Sequence, residues 1–106
     1  MKLLTKEILN AFKKQGDTSN KDPKDTKVIV KFFNPTGAGT WYATEYDETD
    51  RIFFGFVSIF NDYNDELGSF SLDELEEYRG PLGLGIEREL HFGDYTLRQI
   101  MDGERP

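Results

Sequence analysis

Arg51-Ile52-Phe53-Phe54-Gly55-Phe56-Val57-Ser58-Ile59-Phe60 is the most apolar run of the chain, and its reading decides the fold. Side chains alternate sides along a strand, so Phe53, Val57 and Ile59 share one face and Ile52, Phe54, Phe56 and Phe60 the other. A segment apolar on both faces predicts a strand inside a sheet, covered on each side. Upstream, Thr40 to Tyr46 reads as a second strand, with Thr40, Tyr42, Thr44 and Tyr46 on one face and Trp41, Ala43 and Glu45 on the other. Asp47-Glu48-Thr49-Asp50 supplies the turn between them. Further upstream, Val28 to Phe33 is a β-rich run closed by Asn34-Pro35. Downstream, Asn61 to Asp65 is a turn and Glu66 to Phe70 a fourth strand. Such short connections imply an antiparallel meander. Ile86 to Phe92 supplies a fifth short strand, with Ile86, Arg88, Leu90 and Phe92 on one face. Edge strands such as Val28–Phe33 would be free to pair across a dimer if left uncovered.

Helices flank this sheet. Thr5 to Lys14 places Leu4, Ile8, Leu9 and Phe12 on one face, and Gly16 ends the helix. Residues 15–27 form a polar, mobile loop carrying both signs of charge. Ser71-Leu72-Asp73-Glu74 matches a capping box, starting a helix to Arg79 with Leu72 and Leu75 inward and Tyr78 flanking. Leu97, Ile100 and Met101 support a last helical turn or two within Thr96–Met101. The expected fold class is α+β: an antiparallel meander sheet of four to five strands with two main helices packed on one face. With 106 residues the chain suits a single domain, residues 1–106.

Composition excludes several function classes. Net charge is −7, which speaks against phosphate-backbone binding but is compatible with a basic partner, since an acidic surface can attract a positively charged groove on another protein. The chain has no cysteine, so disulfides, thiolate catalysis and cysteine-ligated zinc are excluded. Nothing approaches the ~20 apolar residues of a membrane span, and the N-terminus lacks the apolar run of a signal peptide. The cytoplasm is the simplest location, with no cofactor and no membrane association expected.

Lys31-Phe32-Phe33, Thr40-Trp41-Tyr42-Ala43-Thr44-Glu45, Phe53-Phe54-Gly55, Ser71-Leu72-Asp73-Glu74-Leu75 and Arg79-Gly80-Pro81-Leu82-Gly83-Leu84-Gly85-Ile86-Glu87-Arg88 follow one another in order. In that spacing they resemble a family of short uncharacterised proteins, a domain of unknown function found in bacteria, their plasmids and their phages. The resemblance runs from the first helix to Phe92 and implies no reaction, cofactor or catalytic residue. Its setting on mobile elements implies an accessory or host-interacting role.

The strongest candidate surface is the stretch from Arg79 to Leu90, in which three glycines and Pro81 fix a backbone path. It gathers Arg79, Glu87, Arg88 and His91 at one corner of the fold, where Arg79, Glu87 and Arg88 suit an ion-pair network. His91 is the only histidine, too few for a histidine metal site. The acids of Asp47–Asp50 and of Asp62–Glu66 fall at opposite ends of the meander and do not combine into a catalytic pair. Asp62–Glu66 lacks the glycine and distant glutamate of a calcium loop. Asn34–Thr40 lacks the lysine of a phosphate-binding loop and reads as a hairpin loop. Trp41 and Tyr42, interleaved with polar residues, are candidates to stack on bases or anchor a protein.

The leading functional expectation is a non-enzymatic protein-interaction module whose acidic surface engages a protein partner, such as a nucleic-acid-handling protein with a basic groove. One alternative is a small enzyme or ligand-binding domain using the Arg79, Glu87, Arg88 and His91 corner. Another is single-stranded nucleic-acid binding through Trp41, Tyr42 and nearby lysines, which net charge opposes.

Overall fold

The structure is a computed structural model and describes residues 2–16, 22–59, 66–89 and 93–103. Helix α1 spans Lys6–Gln15, strands β1 to β4 span Val30–Phe33, Thr40–Asp47, Ile52–Ser58 and Glu66–Ser71, and α2 follows directly as Leu72–Glu77. Strand β5 is Glu87–Arg88 and α3 is Leu97–Met101. The sheet is antiparallel and five-stranded in the order β4-β3-β2-β1-β5. The α+β meander expected from the sequence is thus the fold, with β3 inside the sheet.

β5 lies against β1, pairing Phe32 with Arg88 and Phe33 with Glu87. The run Val28–Phe33 is therefore interior, which corrects its reading as an edge strand. The fifth strand is also shorter than the expected Ile86–Phe92, and Leu90 and Phe92 lie outside the described residues, as does the Asn61–Asp65 turn.

Each face of the sheet carries its own core. On one, Val30, Phe32, Ala43 and Phe53 pack with Phe12 of α1, Leu72 and Leu75 of α2, Ile86 and the N-terminal Leu3 and Leu4. Phe53 is the centre of this cluster, with ring centroids 4.7 Å from Tyr46 and 5.2 Å from both Phe32 and Phe70. On the other face Val28, Tyr42 and Phe56 pack with Leu97 and Ile100 of α3. The two main helices share one face as expected, and the short third helix closes the opposite one. Here Thr96 and Gln99 form a complete capping box.

A bulge in β2 explains the one facing error of the sequence reading. Ala43 pairs with Gly55 but Glu45 with Phe54, so Thr44 is an extra residue. Beyond it the alternation inverts, and Tyr46 joins Ala43 on the helix-covered face rather than Tyr42 on the other. Thr44 is fully buried. Its carbonyl accepts a 2.7 Å hydrogen bond from Gln15 Nε2, which also reaches Lys27 O at 2.9 Å. The end of α1 thereby satisfies a buried carbonyl at the bulge. The kink also presses β2 onto β3: a Cβ added at Gly55 would fall 1.8 Å from Tyr42 O.

α1 begins at an N-cap, the Thr5 hydroxyl accepting from Ile8 N–H, and ends at Gly16 with φ +65°. At α2 the Ser71 hydroxyl accepts from Glu74 N–H. Among the described residues no bond returns from the Glu74 carboxylate, so only half of the expected capping box forms, and Glu74 is among the residues lining a surface groove. Arg51, expected as the first residue of β3, sits in the turn before it with φ +56°. Its guanidinium reaches Asp73 at 2.6 Å and Glu76 at 2.8 Å, fastening the hairpin to α2.

Candidate functional site

The chain leaves α2 at Tyr78 and makes a tight turn over Gly80-Pro81-Leu82-Gly83, closed by Gly83 N–H donating to Gly80 O at 3.0 Å. Proline suits the second position of such a turn, and glycine the third, where φ is positive. Here the third residue is Leu82, at φ 62° and ψ 15°. Its side chain is 95% exposed. Tyr78 and Leu84, beside it, are also exposed apolar residues. The glycine-rich stretch therefore builds a loop that holds a leucine out in solvent in a backbone conformation leucine disfavours.

Two grooves flank this loop, and Leu75 and Ile86 line both. One, of about 490 Å³, has Arg79, Glu76 and Glu87 on its walls. The other, of about 320 Å³, is walled by Trp41, Phe70 and Tyr78, with Glu74 and Asn34 as polar groups. Its rings are held in place. A Cβ at Gly39 would lie 2.9 Å from Cη2 of Trp41, and one at Gly80 2.9 Å from the Tyr78 hydroxyl. Asn34 Nδ2 donates to that hydroxyl at 3.2 Å, while Asn34 Oδ1 accepts from Thr36 N–H at 3.0 Å.

The residues singled out from the sequence divide by position. Arg79 and Glu87 line the larger groove together. Arg79 Nη1 donates to Tyr78 O at 2.6 Å and Glu76 O at 2.7 Å, tying down the end of α2. Arg88 donates to Lys2 O at 2.6 Å and Leu3 O at 3.3 Å, fastening the N-terminal segment to β5. Both arginines thus make charge-assisted hydrogen bonds to main-chain carbonyls at this corner. His91 lies outside the described residues. Trp41 lines the smaller groove, whereas Tyr42 is 2% exposed in the core of the opposite face, with Lys31 Nζ 5.7 Å from its ring centroid. Adjacent strand residues point apart, so the two do not form one stacking platform.

Charge elsewhere is paired for structure. Arg98 reaches Asp25 at 2.8 Å and Asp22 at 3.3 Å, joining α3 to the Pro23–Asp25 turn. The Arg98 hydrogen bond holds the Asp25 carboxyl below its ordinary range. Burial pushes the Tyr46 phenol above its usual value, with Arg51 opposing. Among the described residues no group of three or more His, Asp or Glu side chains is placed to hold a metal ion. No helix among them is long and apolar enough to cross a membrane.

What fold and corner define is a small α+β protein with an open antiparallel sheet and an apolar loop standing between two grooves. The chain belongs to the family described as protein of unknown function DUF2958, whose model matches residues 3–100. No curated protein and no solved structure matches it. The exposed leucine escaped the sequence reading because a pattern of glycines marks permissive backbone, not the residue between them that departs from it.

Proposed function

We propose that the protein is a non-enzymatic interaction module that docks a basic protein partner at the loop between α2 and β5. The observation that carries this reading is Leu82. A leucine at φ 62° with 95% of its surface in water contributes almost no packing to its own fold. Glycine or asparagine would fill the position with less strain. A strained, wholly exposed apolar side chain is the expected form of an anchor that enters a pocket on another protein. Leu84 and Tyr78 extend the apolar contact, and Glu74, which lines the same groove as Tyr78, adds negative charge beside it. With a net charge of −7, the protein would steer towards a positively charged surface. A nucleic-acid-handling protein with a basic groove has that chemistry. Because Arg51 neutralises Asp73 and Glu76, the acids of α2 suit a local docking border better than a continuous imitation of DNA phosphates.

The test is affinity capture from the cells that encode the protein, comparing wild type with Leu82→Asp. The expected result is a protein retained by the wild type and lost with the variant, at a thermal midpoint no lower than that of the wild type. Equal retention by a folded variant would remove the loop from the interface.

A further inference from the structure

We infer that the groove walled by Trp41, Phe70 and Tyr78 receives an arginine side chain from the partner; this rests on the docking reading above. Three aromatic residues, Trp41, Phe70 and Tyr78, wall a space of about 320 Å³, and the charged residue lining it is Glu74. Glu74 makes no ion pair among the described residues, unlike Asp73 and Glu76 on the same helix, which Arg51 holds. An apolar ligand alone would leave that carboxylate desolvated without a partner, an arrangement that costs free energy. A cation resolves both features at once, since it is attracted to the faces of aromatic rings and to the carboxylate.

The groove also selects among cations. Arg is planar, weakly hydrated and able to stack on an aromatic face while presenting a two-pronged edge to a carboxylate. Lysine is a compact, strongly hydrated point charge and gains less from flat walls. The walls are preorganised: Trp41 packs over Gly39, and Tyr78 is fixed by Asn34 and by its close approach to Gly80. Side chains already held need little ordering on binding, so the groove's selectivity would survive in an isolated peptide.

Trp41 is the only tryptophan in the chain, so its indole N–H gives a single proton–nitrogen resonance that reports on this groove. Labelled protein would be titrated with a blocked Gly-Arg-Gly peptide, with the same peptide carrying citrulline, and with Gly-Lys-Gly. Citrulline keeps the shape of arginine and removes its charge. The expected result is a saturable shift of the Trp41 resonance with the arginine peptide. That affinity should be weaker by about tenfold or more in Glu74→Gln, lost in Tyr78→Ala and retained in Tyr78→Phe. An equal response to citrulline would make the groove merely apolar. An equal response to lysine would remove the guanidinium, and a response mapping away from Trp41 would remove the groove. Any of these overturns the inference. Glu74 is exposed, so Glu74→Gln should keep the remaining spectrum of a folded chain. Captured partner separates the two readings. Capture abolished by Leu82→Asp but untouched by Glu74→Gln leaves the docking loop standing and the arginine assignment refuted. Capture untouched by either variant refutes both.

Discussion

Replacing Leu82 by asparagine should stabilise the protein and weaken its association with a partner. The side chain is 95% exposed, so about a twentieth of the roughly 2 kcal/mol available from burying a leucine is at stake, or about 0.1 kcal/mol. Against this stands the backbone. A left-handed conformation costs an L-residue of ordinary type about 1–2 kcal/mol, and asparagine less, because its short amide bonds locally. At φ 62° and ψ 15° the net gain for Leu82→Asn is about 0.5–1 kcal/mol. For a domain of this size that raises the thermal midpoint by about 2–8 °C. Thermal unfolding followed by circular dichroism and by Trp41 fluorescence measures it, alongside partner capture. A midpoint lowered by several degrees would mean that Leu82 packs within its own chain. A raised midpoint with undiminished capture would mean that the strain is not retained for binding. Either result refutes the argument from the exposed leucine.

Other perturbations test the frame that holds the loop. In Gly55→Ala the new Cβ would sit 1.8 Å from Tyr42 O, where about 3.3 Å is the closest comfortable approach. β2 and β3 must part, and the lost ladder bonds should lower stability by about 2–4 kcal/mol and the thermal midpoint by at least about 10 °C; a shift of a degree or two would refute the close approach at the bulge. Asp25 titrates below its ordinary value because of Arg98, so its contribution is full above the unfolded aspartate pKa and fades as pH falls through the folded one. The midpoint difference between wild type and Asp25→Asn should therefore shrink on acidification past the usual aspartate range, and a constant difference would refute the pairing. The Tyr46 phenol is raised, chiefly by burial, so the folded state holds its proton more tightly and loses stability as pH rises from the ordinary tyrosine pKa through the folded value. Tyr46→Phe should flatten that alkaline decline in the midpoint; an unchanged slope would show Tyr46 to be in contact with water.

The sheet was legible because its signals are local. Nine phenylalanines and five tyrosines concentrate in alternating runs, and the turns between them carry Asp, Asn and Gly. The apolar spacing of Leu4, Ile8, Leu9 and Phe12 is enough to place α1 on the sheet. What the sequence withheld depends on tertiary contact. No residue type announces the bulge at Thr44, since threonine is an ordinary strand residue, and its buried carbonyl is satisfied by Gln15 from a distant helix. β1 reads as an edge because its cover is two residues of β5, brought there by Arg88 bonding the N-terminal segment. The two capping motifs look alike, yet Thr96–Gln99 closes both bonds and Ser71–Glu74 only one. At the corner the glycines mark where the chain turns, but no residue type announces that Arg79 and Arg88 bond main-chain carbonyls at the end of α2 and in the N-terminal segment. Trp41 and Tyr42 were paired by adjacency, and the pleat separates them.

The most direct test of the docking surface is site-specific photo-crosslinking in the cells that encode the protein. A photoreactive leucine analogue would be placed at position 82 and, as a control, at position 50 in the exposed turn between β2 and β3. The account predicts a covalent adduct to one protein from position 82, at an arginine-bearing basic segment, and none of it from position 50. Adducts of equal yield from both positions, or none from position 82 while the partner is still captured, would contradict it.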